Sequence, residues 1–399
     1  MSISLAVEQH TEPCRRNPAM HDSELWSPGG TASLTPWSGS SVLSSQRRRA
    51  HDFAARGGRG RHVFGVGEVL EIISKQTQMN KFIVDLGASV RGHGKTGVAN
   101  QDACFPLFDA GYSGLMVDGD PKQRVAMRKR FPSPSIQVVN TFLSPENVVA
   151  ILRGANTPID ADLIKVDIDG FDCAVMAAVL DAYTPKVVQM EVNVVFPPPL
   201  RFALLSMEHY DSDKRGALYG CSLAYQIDMM RRHGYALLQM EWNDAIFVQR
   251  HLVPHLLPRR RPPSACEAYM QGYAEHPGVY HLFYFHAPAP GKGIWGRHGH
   301  ANVSTWPATK QLAKVRSFLT SPRTRRPYAG RKIALSATPL TKAYFESQAR
   351  RRRTEWRRRR APRTAGLVGH RWVSLFFSLL LLLLLSRALP STAGVGARG

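Results

Sequence analysis

Cysteine is scarce in this chain and follows no pairing pattern. The 399 residues hold five, at Cys14, Cys104, Cys173, Cys221 and Cys266. The number is odd and no C-x-x-C occurs, so neither a disulfide framework nor a cysteine zinc site is indicated. Reduced thiols in a cytosol-facing protein are the expectation. No apolar run follows the first residues, which argues against a secretory leader. Internal repeats are absent, which removes solenoid and propeller architectures. The glycine fingerprint G-x-G-x-x-G is absent too, because Ser89 stands at the second glycine place after Gly87. Acidic residues are outnumbered, 30 against 52 Lys/Arg, for a net charge of +22. Such an excess invites a nucleic-acid or membrane reading. From Lys81 to Arg250, however, 17 basic residues face 19 acidic ones, which leaves 35 and 11 for the flanks. The charge sits outside the centre of the chain, and no specific nucleic-acid partner is expected.

The flanks differ from the centre in pattern as well. Residues 1–61 are rich in Ser, Pro, Gly and Arg and hold no sustained period, which predicts disorder. Residues 254–371 are basic and Pro-rich and are expected to be mostly disordered, with 280–285 as the one strong strand candidate. Between them, residues 62–253 alternate strand and helix signals. Strands are expected over 82–85, 114–118, 136–139, 163–167, 187–192, 235–240 and 245–249. Helices are expected over 66–78, 104–110, 121–130, 145–152, 173–180 and 223–233. The last two strands are joined through Trp242, Asn243 and Asp244, a link short enough to make them an antiparallel pair. The expected fold is α/β, a Rossmann-like doubly wound sheet that is mostly parallel and closed by an antiparallel hairpin.

At the C-terminal end, residues 372–385 are apolar apart from Ser374 and Ser378 and include seven consecutive leucines. Extended over 372–389, the stretch is a short candidate for a membrane-spanning helix, since a full crossing takes about 20 apolar residues. Arginine clusters at 350–353 and 357–360 precede it, as expected of a cytosolic flank. A tail anchor in the endoplasmic reticulum or another thin organelle membrane, with the folded domain in the cytosol, is the expectation.

The chemistry of the central domain is expected where its parallel strands end. The first strand ends in Asp85, Gly87, Ala88 and Ser89, a turn where glycine lets a ligand approach the backbone. The second ends in Asp118, a carboxylate suited to accept hydrogen bonds from two ribose hydroxyls. The fourth ends in Asp167 and Asp169 around Gly170, and the fifth in Glu191 and Asn193. These four groups would converge from adjacent strands, and Asp167 and Asp169 offer the oxygen ligands that hold Mg²⁺ or a related hard cation. The structural alternatives are a turn role for Asp169, a buried hydrogen-bonded pair for Glu191 and Asn193, and a helix cap for Asp172. His209 and Asp211 fall in a polar loop and read as solvated.

Five pieces of this domain resemble the FkbM-like group of S-adenosylmethionine-dependent methyltransferases. They are 82–88 (FIVDLGA), 114–121 (GLMVDGDP), 163–170 (LIKVDIDG), 191–193 (EVN), and 220–223 leading to 243–248 (NDAIFV). The resemblance covers roughly residues 62–252. It implies S-adenosyl-L-methionine as cofactor. Asp85, Gly87, Ala88 and Ser89 would border its methionine end, Asp118 would hold the ribose, and Asn140 and Thr141 would lie near the adenine. Asp167, Asp169, Glu191 and Asn193 would serve the acceptor, an oxygen of a small molecule, sugar or lipid. A nicotinamide-dependent oxidoreductase and a non-catalytic membrane-tethered module on the same sheet are the competing readings.

Overall fold

The computed structural model describes residues 63–90, 102–206, 218–274, 305–320 and 332–337, with the strand Ser2–Ala6, Cys14 and a few short pieces between residues 294 and 354. The expected features at 209–211, 280–285 and 372–389 lie outside the described residues. The chain divides into two units, Met1–Glu346 and Ser347–Gly399, and every element named here belongs to the first.

In chain order the strands are β1 (Ser2–Ala6), β2 (Phe82–Leu86), β3 (Ser113–Asp118), β4 (Ile136–Asn140), β5 (Leu163–Val166), β6 (Val187–Glu191), β7 (Arg201–Ser206), β8 (Tyr235–Glu241), β9 (Asp244–Gln249) and β10 (Lys332–Ser336). The helices are α1 (Val66–Ser74), α2 (Phe105–Asp109), α3 (Pro121–Arg130), α4 (Val148–Gly154), α5 (Asp172–Leu180), α6 (Leu223–Arg232), α7 (Val253–Leu256), α8 (Ala265–Tyr269) and α9 (Ala308–Thr320).

Seven strands form the main sheet in the order β4-β3-β2-β5-β6-β9-β8. The first five run parallel, and β9 and β8 are antiparallel to their neighbours. The strand order reverses direction between β2 and β5, the switch point at which open α/β sheets bind ligands. Side-chain alternation sorts the apolar residues onto two faces. Val84, Leu86, Leu115, Val117, Ile164 and Val166 join one buried cluster with α4, α5 and α6. Ile83, Met116 and Leu163 join the other with α1, α2 and α7. All nine residues of α5 are buried, which explains its lack of a polar face. α3 starts from an Asp120 side chain that accepts the Lys122 amide, has proline in its first turn, and ends in Arg128, Lys129 and Arg130. Each of these favours the helix end at which it stands.

Three expectations are corrected. Neither flank is without structure: β1 pairs parallel with β10, and β10 pairs antiparallel with β7. Phe202, Leu204, Ile333 and Leu335 of this small sheet bury against Leu312, Val315 and Leu319 of α9. Short apolar segments within basic, Pro-rich sequence become strands because tertiary partners exist for them, which local composition does not report. Second, the helix expected over 66–78 stops at Ser74: the Lys75 and Gln76 amides bond to the carbonyls three residues back, Ile72 and Ile73, which tightens the last turn and ends the helix. Third, four of the five cysteines are paired, as Cys14–Cys266 and Cys173–Cys221. Their sequence separations are 252 and 48, so no local spacing announces them. Among the described residues, no helix is long and apolar enough to cross a membrane.

Candidate active site

The turn after β2 is built against its neighbours on three sides. Gly87 has φ +94°, and a Cβ there would run into the Asp167 carbonyl. The Gly87 and Ala88 amides both donate to the Val117 carbonyl, at 2.8 and 3.1 Å. Gln123 of α3 clamps the turn from above. Its Nε2 donates to Ser89 Oγ at 3.0 Å, and its Oε1 accepts the Val90 amide at 3.0 Å. Serine at the second glycine place therefore has a structural use in this chain.

Asp85 lies beneath that turn and is fully buried. It stands opposite Lys165 in the β2–β5 register, and Lys165 Nζ reaches Asp85 Oδ1 at 3.2 Å and Asp102 Oδ2 at 2.6 Å. Asp85 Oδ2 has no hydrogen-bond partner among the described residues. Burial, then the Asp102 charge, push the Asp85 carboxyl well above its usual range. Burial alone would depress the Lys165 ammonium, but Asp102 and Asp85 outweigh it and hold the group well above its ordinary value. Cys104, the one free thiol, is buried beside this triad and pushed upward by burial and by the two aspartates. The triad supports the turn from below, a role the sequence reading did not assign to Lys165 or Asp102.

Asp118 closes β3. Its Oδ1 accepts the Asp120 amide at 2.6 Å, and burial raises its pKa. The Asp118 carbonyl accepts Asn140 Nδ2 at 2.8 Å and the Thr141 amide at 3.0 Å, so the ends of β3 and β4 are locked together. Beyond them Phe142 lays its ring on Gly119, where any Cβ would meet it, and is still 63% exposed. A half-buried carboxylate, two polar residues and an open aromatic face thus stand side by side.

The acidic cluster occupies the other side of the switch point. Asp167, Asp169 and Glu191 each present an oxygen within 4.8 Å of the others. Asp169 has φ +54°, a left-handed backbone uncommon outside glycine. Asp172 holds that turn: its two carboxylate oxygens accept the Ile168 and Gly170 amides at 2.8 and 3.2 Å. The helix cap position belongs to Phe171, so Asp172 clasps the preceding turn and does not cap α5. Glu191 Oε1 accepts Asn243 Nδ2 at 3.1 Å, and Asp244 is its direct partner in the β6–β9 register. Asn193 is fully buried, and its side chain donates to the Tyr219 carbonyl and accepts the Val195 amide. The structure therefore brings Asp167, Asp169 and Glu191 together and places Asn193 behind them as a backbone tie. No bond joins Glu191 to Asn193 among those described; Asn243 takes that place.

No family model matches this chain, and no curated protein does. Solved structures do. A TehB-like SAM-dependent methyltransferase from Corynebacterium glutamicum is 14% identical, with 52% of this chain and 98% of that one covered at a TM-score of 0.27. An O-methyltransferase from Bacillus cereus in complex with SAH is 14% identical, with 54% and 93% covered at a TM-score of 0.28. An amino pentose methyltransferase from Micromonospora echinaspora is 12% identical, with 50% and 96% covered at a TM-score of 0.28.

Asn243, Asp244 and Asp172 complete the cluster and were missed as site residues. The signal for Asp244 was available only as register, since the hairpin sets it opposite Glu191 across β6. Burial first, and then the Asp167 charge, push Asp244 up to about 7 from its ordinary 3.8. Burial also raises Asp172 to about 6, against the amides it accepts. Burial, followed by Asp167, Asp172 and Asp244, holds Glu191 well above the usual carboxylate range. An acid whose folded pKa is raised binds its proton more tightly when folded, so its stabilising contribution is lost as pH rises through that value. In metal-free buffer Asp244→Asn should therefore raise the melting temperature at pH 8, with the gain shrinking as pH falls from about 7 towards 4. Thermal melts of both proteins at pH 8 and pH 5 check this; an equal difference at both would refute the raised pKa.

Proposed function

We propose that this chain is an S-adenosylmethionine-dependent methyltransferase of the FkbM-like group that methylates an oxygen of a small molecule, sugar or lipid. The observation that carries the reading is the convergence of two half-sites on one sheet edge. A nucleoside-type site ends β3 and β4, and an acidic cluster ends β5, β6 and β9, with the Gly87 turn between them. The reversed edge pair β9–β8 supports the same reading and counts against a nicotinamide-dependent oxidoreductase.

The residues fit the cofactor. Asp118 would accept the ribose hydroxyls, Asn140 and Thr141 would border the base, and the exposed Phe142 ring would give it an apolar platform. Gly87, Ala88 and Ser89 would border the methionine end, with Asp85 supporting them from below. Bound S-adenosylmethionine supplies a methyl group already activated on sulfur. The chain's task is then to position the acceptor and deal with its proton. Asp167, Asp169 and Glu191 face the acceptor side, where they could hold Mg²⁺ or orient a hydroxyl. Asn193 keeps the end of β6 in place.

The two disulfides support a domain that folds in an oxidising compartment. The apolar stretch 372–389 would keep the enzyme at a membrane.

Calorimetry on the full-length chain tests the cofactor. The wild type should bind S-adenosylmethionine and S-adenosylhomocysteine, and Asp118→Ala should weaken both by about 1.5–3 kcal/mol, the worth of a hydrogen bond to a charged group. Unchanged affinity in Asp118→Ala would remove the ribose assignment. Binding of NAD in place of either compound would remove the methyltransferase reading.

A further inference from the structure

We infer that the outward face of α3 docks on a membrane surface rich in anionic phospholipid, with Lys122, Arg124 and Lys129 on the headgroups and Val125 inserted among them. The inference does not rest on the methyltransferase reading. It concerns a face of the folded domain, apart from the apolar stretch 372–389.

α3 carries five cations in ten residues, Lys122, Arg124, Arg128, Lys129 and Arg130, and no acid. Without these five, the 17 basic residues between Lys81 and Arg250 fall to 12, against 19 acidic ones. The positive charge of the central domain is therefore concentrated on this one helix. Two of the five have a structural use. Arg128 donates to the Ile136 carbonyl, and Arg130 pairs with Asp109 and stacks on the Phe131 ring. The helix dipole accounts for a basic last turn. It does not account for Lys122, which stands in the first turn, where a cation is unfavourable. Nor does it account for Arg124, four residues before Arg128, where like charges repel. Lys122, Arg124 and Lys129 are exposed, and their side chains make no ion pair or hydrogen bond among the described residues.

Helical spacing sets Val125 between Lys122 on one side and Arg128 and Lys129 on the other. Val125 is 70% exposed, while the opposite face of α3 buries Gln123 and packs Met127 against Met116, Ile136 and Val138. An apolar side chain ringed by cations on an open helix face is the composition of a helix that lies on an anionic bilayer. A phosphodiester backbone offers the same charge but no apolar layer for Val125. The face is also openly and firmly presented. Asp120 caps the helix, Pro121 fixes its first turn, and β4, the strand it packs beside, ends the main sheet. The cations thus form one strip about 15 Å long on the outer edge of the domain.

The test is the fluorescence of the full-length protein labelled through Val125→Cys with a polarity-sensitive dye, without reductant; the native free thiol, Cys104, is buried. The probe is a vesicle of phosphatidylcholine with about 30% phosphatidylserine, compared with phosphatidylcholine alone. The inference expects a blue shift on the anionic vesicles only, lost between about 0.1 M and about 1 M salt as the charges are screened. The same dye at Ile159→Cys, another exposed apolar position, should not shift. Lys122→Glu, Arg124→Glu and Lys129→Glu, combined in the labelled chain, should weaken vesicle binding read at Val125→Cys by roughly tenfold or more. That variant should melt no lower than its parent, since the replaced side chains have no partners and an acid suits the first turn. No shift at Val125→Cys in a protein that still sediments with anionic vesicles would place the contact in the arginine clusters or in 372–389, and would overturn the inference. An equal shift at Ile159→Cys would overturn it too, as would a shift caused by poly(U) RNA and not by vesicles.

Discussion

Lys165→Met is expected to destabilise the fold by about 3–5 kcal/mol, the cost of breaking a buried ion pair from one side. Lys165 is 4% exposed and crosses from β5 to β2 to meet Asp85 directly in register. Removing the ammonium leaves Asp85 and Asp102 buried, facing each other, with no counter-charge. Asp85 is already pushed up by burial and by Asp102, so it would take a proton, and Asp102 would lose its only cationic partner among the described ion pairs. Denaturant unfolding of the wild type and the variant measures the loss. Adding Asp85→Asn and Asp102→Asn to Lys165→Met should recover much of it, because removing all the charges is far cheaper than removing one. A loss under about 1 kcal/mol would mean that the triad is solvated in solution and behaves like a surface pair.

Gly87→Ala is the second large effect. It should cost about 2–6 kcal/mol, combining an overpacked contact with a non-glycine residue at positive φ. The added methyl group would meet the Asp167 carbonyl, which is backbone and cannot swing aside. Because Asp167 starts the acidic cluster, the substitution should disturb both half-sites together. S-adenosylhomocysteine binding should fall in any protein that still folds. Unchanged affinity in a folded Gly87→Ala protein would show that this turn does not border the cofactor.

The parallel sheet was readable because each strand carries its own apolar run and each run ends in a distinctive polar residue. α3 was legible over its full length because Pro121 marks its start and a basic run carries it through Arg130. The closing hairpin followed from the shortness of its link. What could not be read depends on contacts remote in sequence. β1 and β7 are ordinary short segments until β10 lies between them. Lys165 looks like a stray charge in an apolar strand until Asp85 is set opposite it. Asp244 looks like a turn residue until the register of β9 carries it to Glu191. The cluster Asp167, Asp169 and Glu191 was legible because all three stand at ends of strands already recognised. The roles of Asp172, Asn193 and Gln123 are set by which amides and carbonyls come within reach, and no residue type announces that.

The Cys173–Cys221 bond has a topological consequence. It closes a covalent ring through α5, β6 and β7, and a second ring, between Cys14 and Cys266, encloses the first. A protease that hydrolyses one peptide bond between residues 173 and 221 therefore releases no fragment. The two new ends stay tethered within the sheet. The Gly170 carbonyl and the Gly220 amide that donates to it remain beside each other across the cut. For this protein, a single nick inside the ring and the loss of a segment are different events: separation of the two pieces then requires reduction of both disulfides, and loss of a segment requires a second cut.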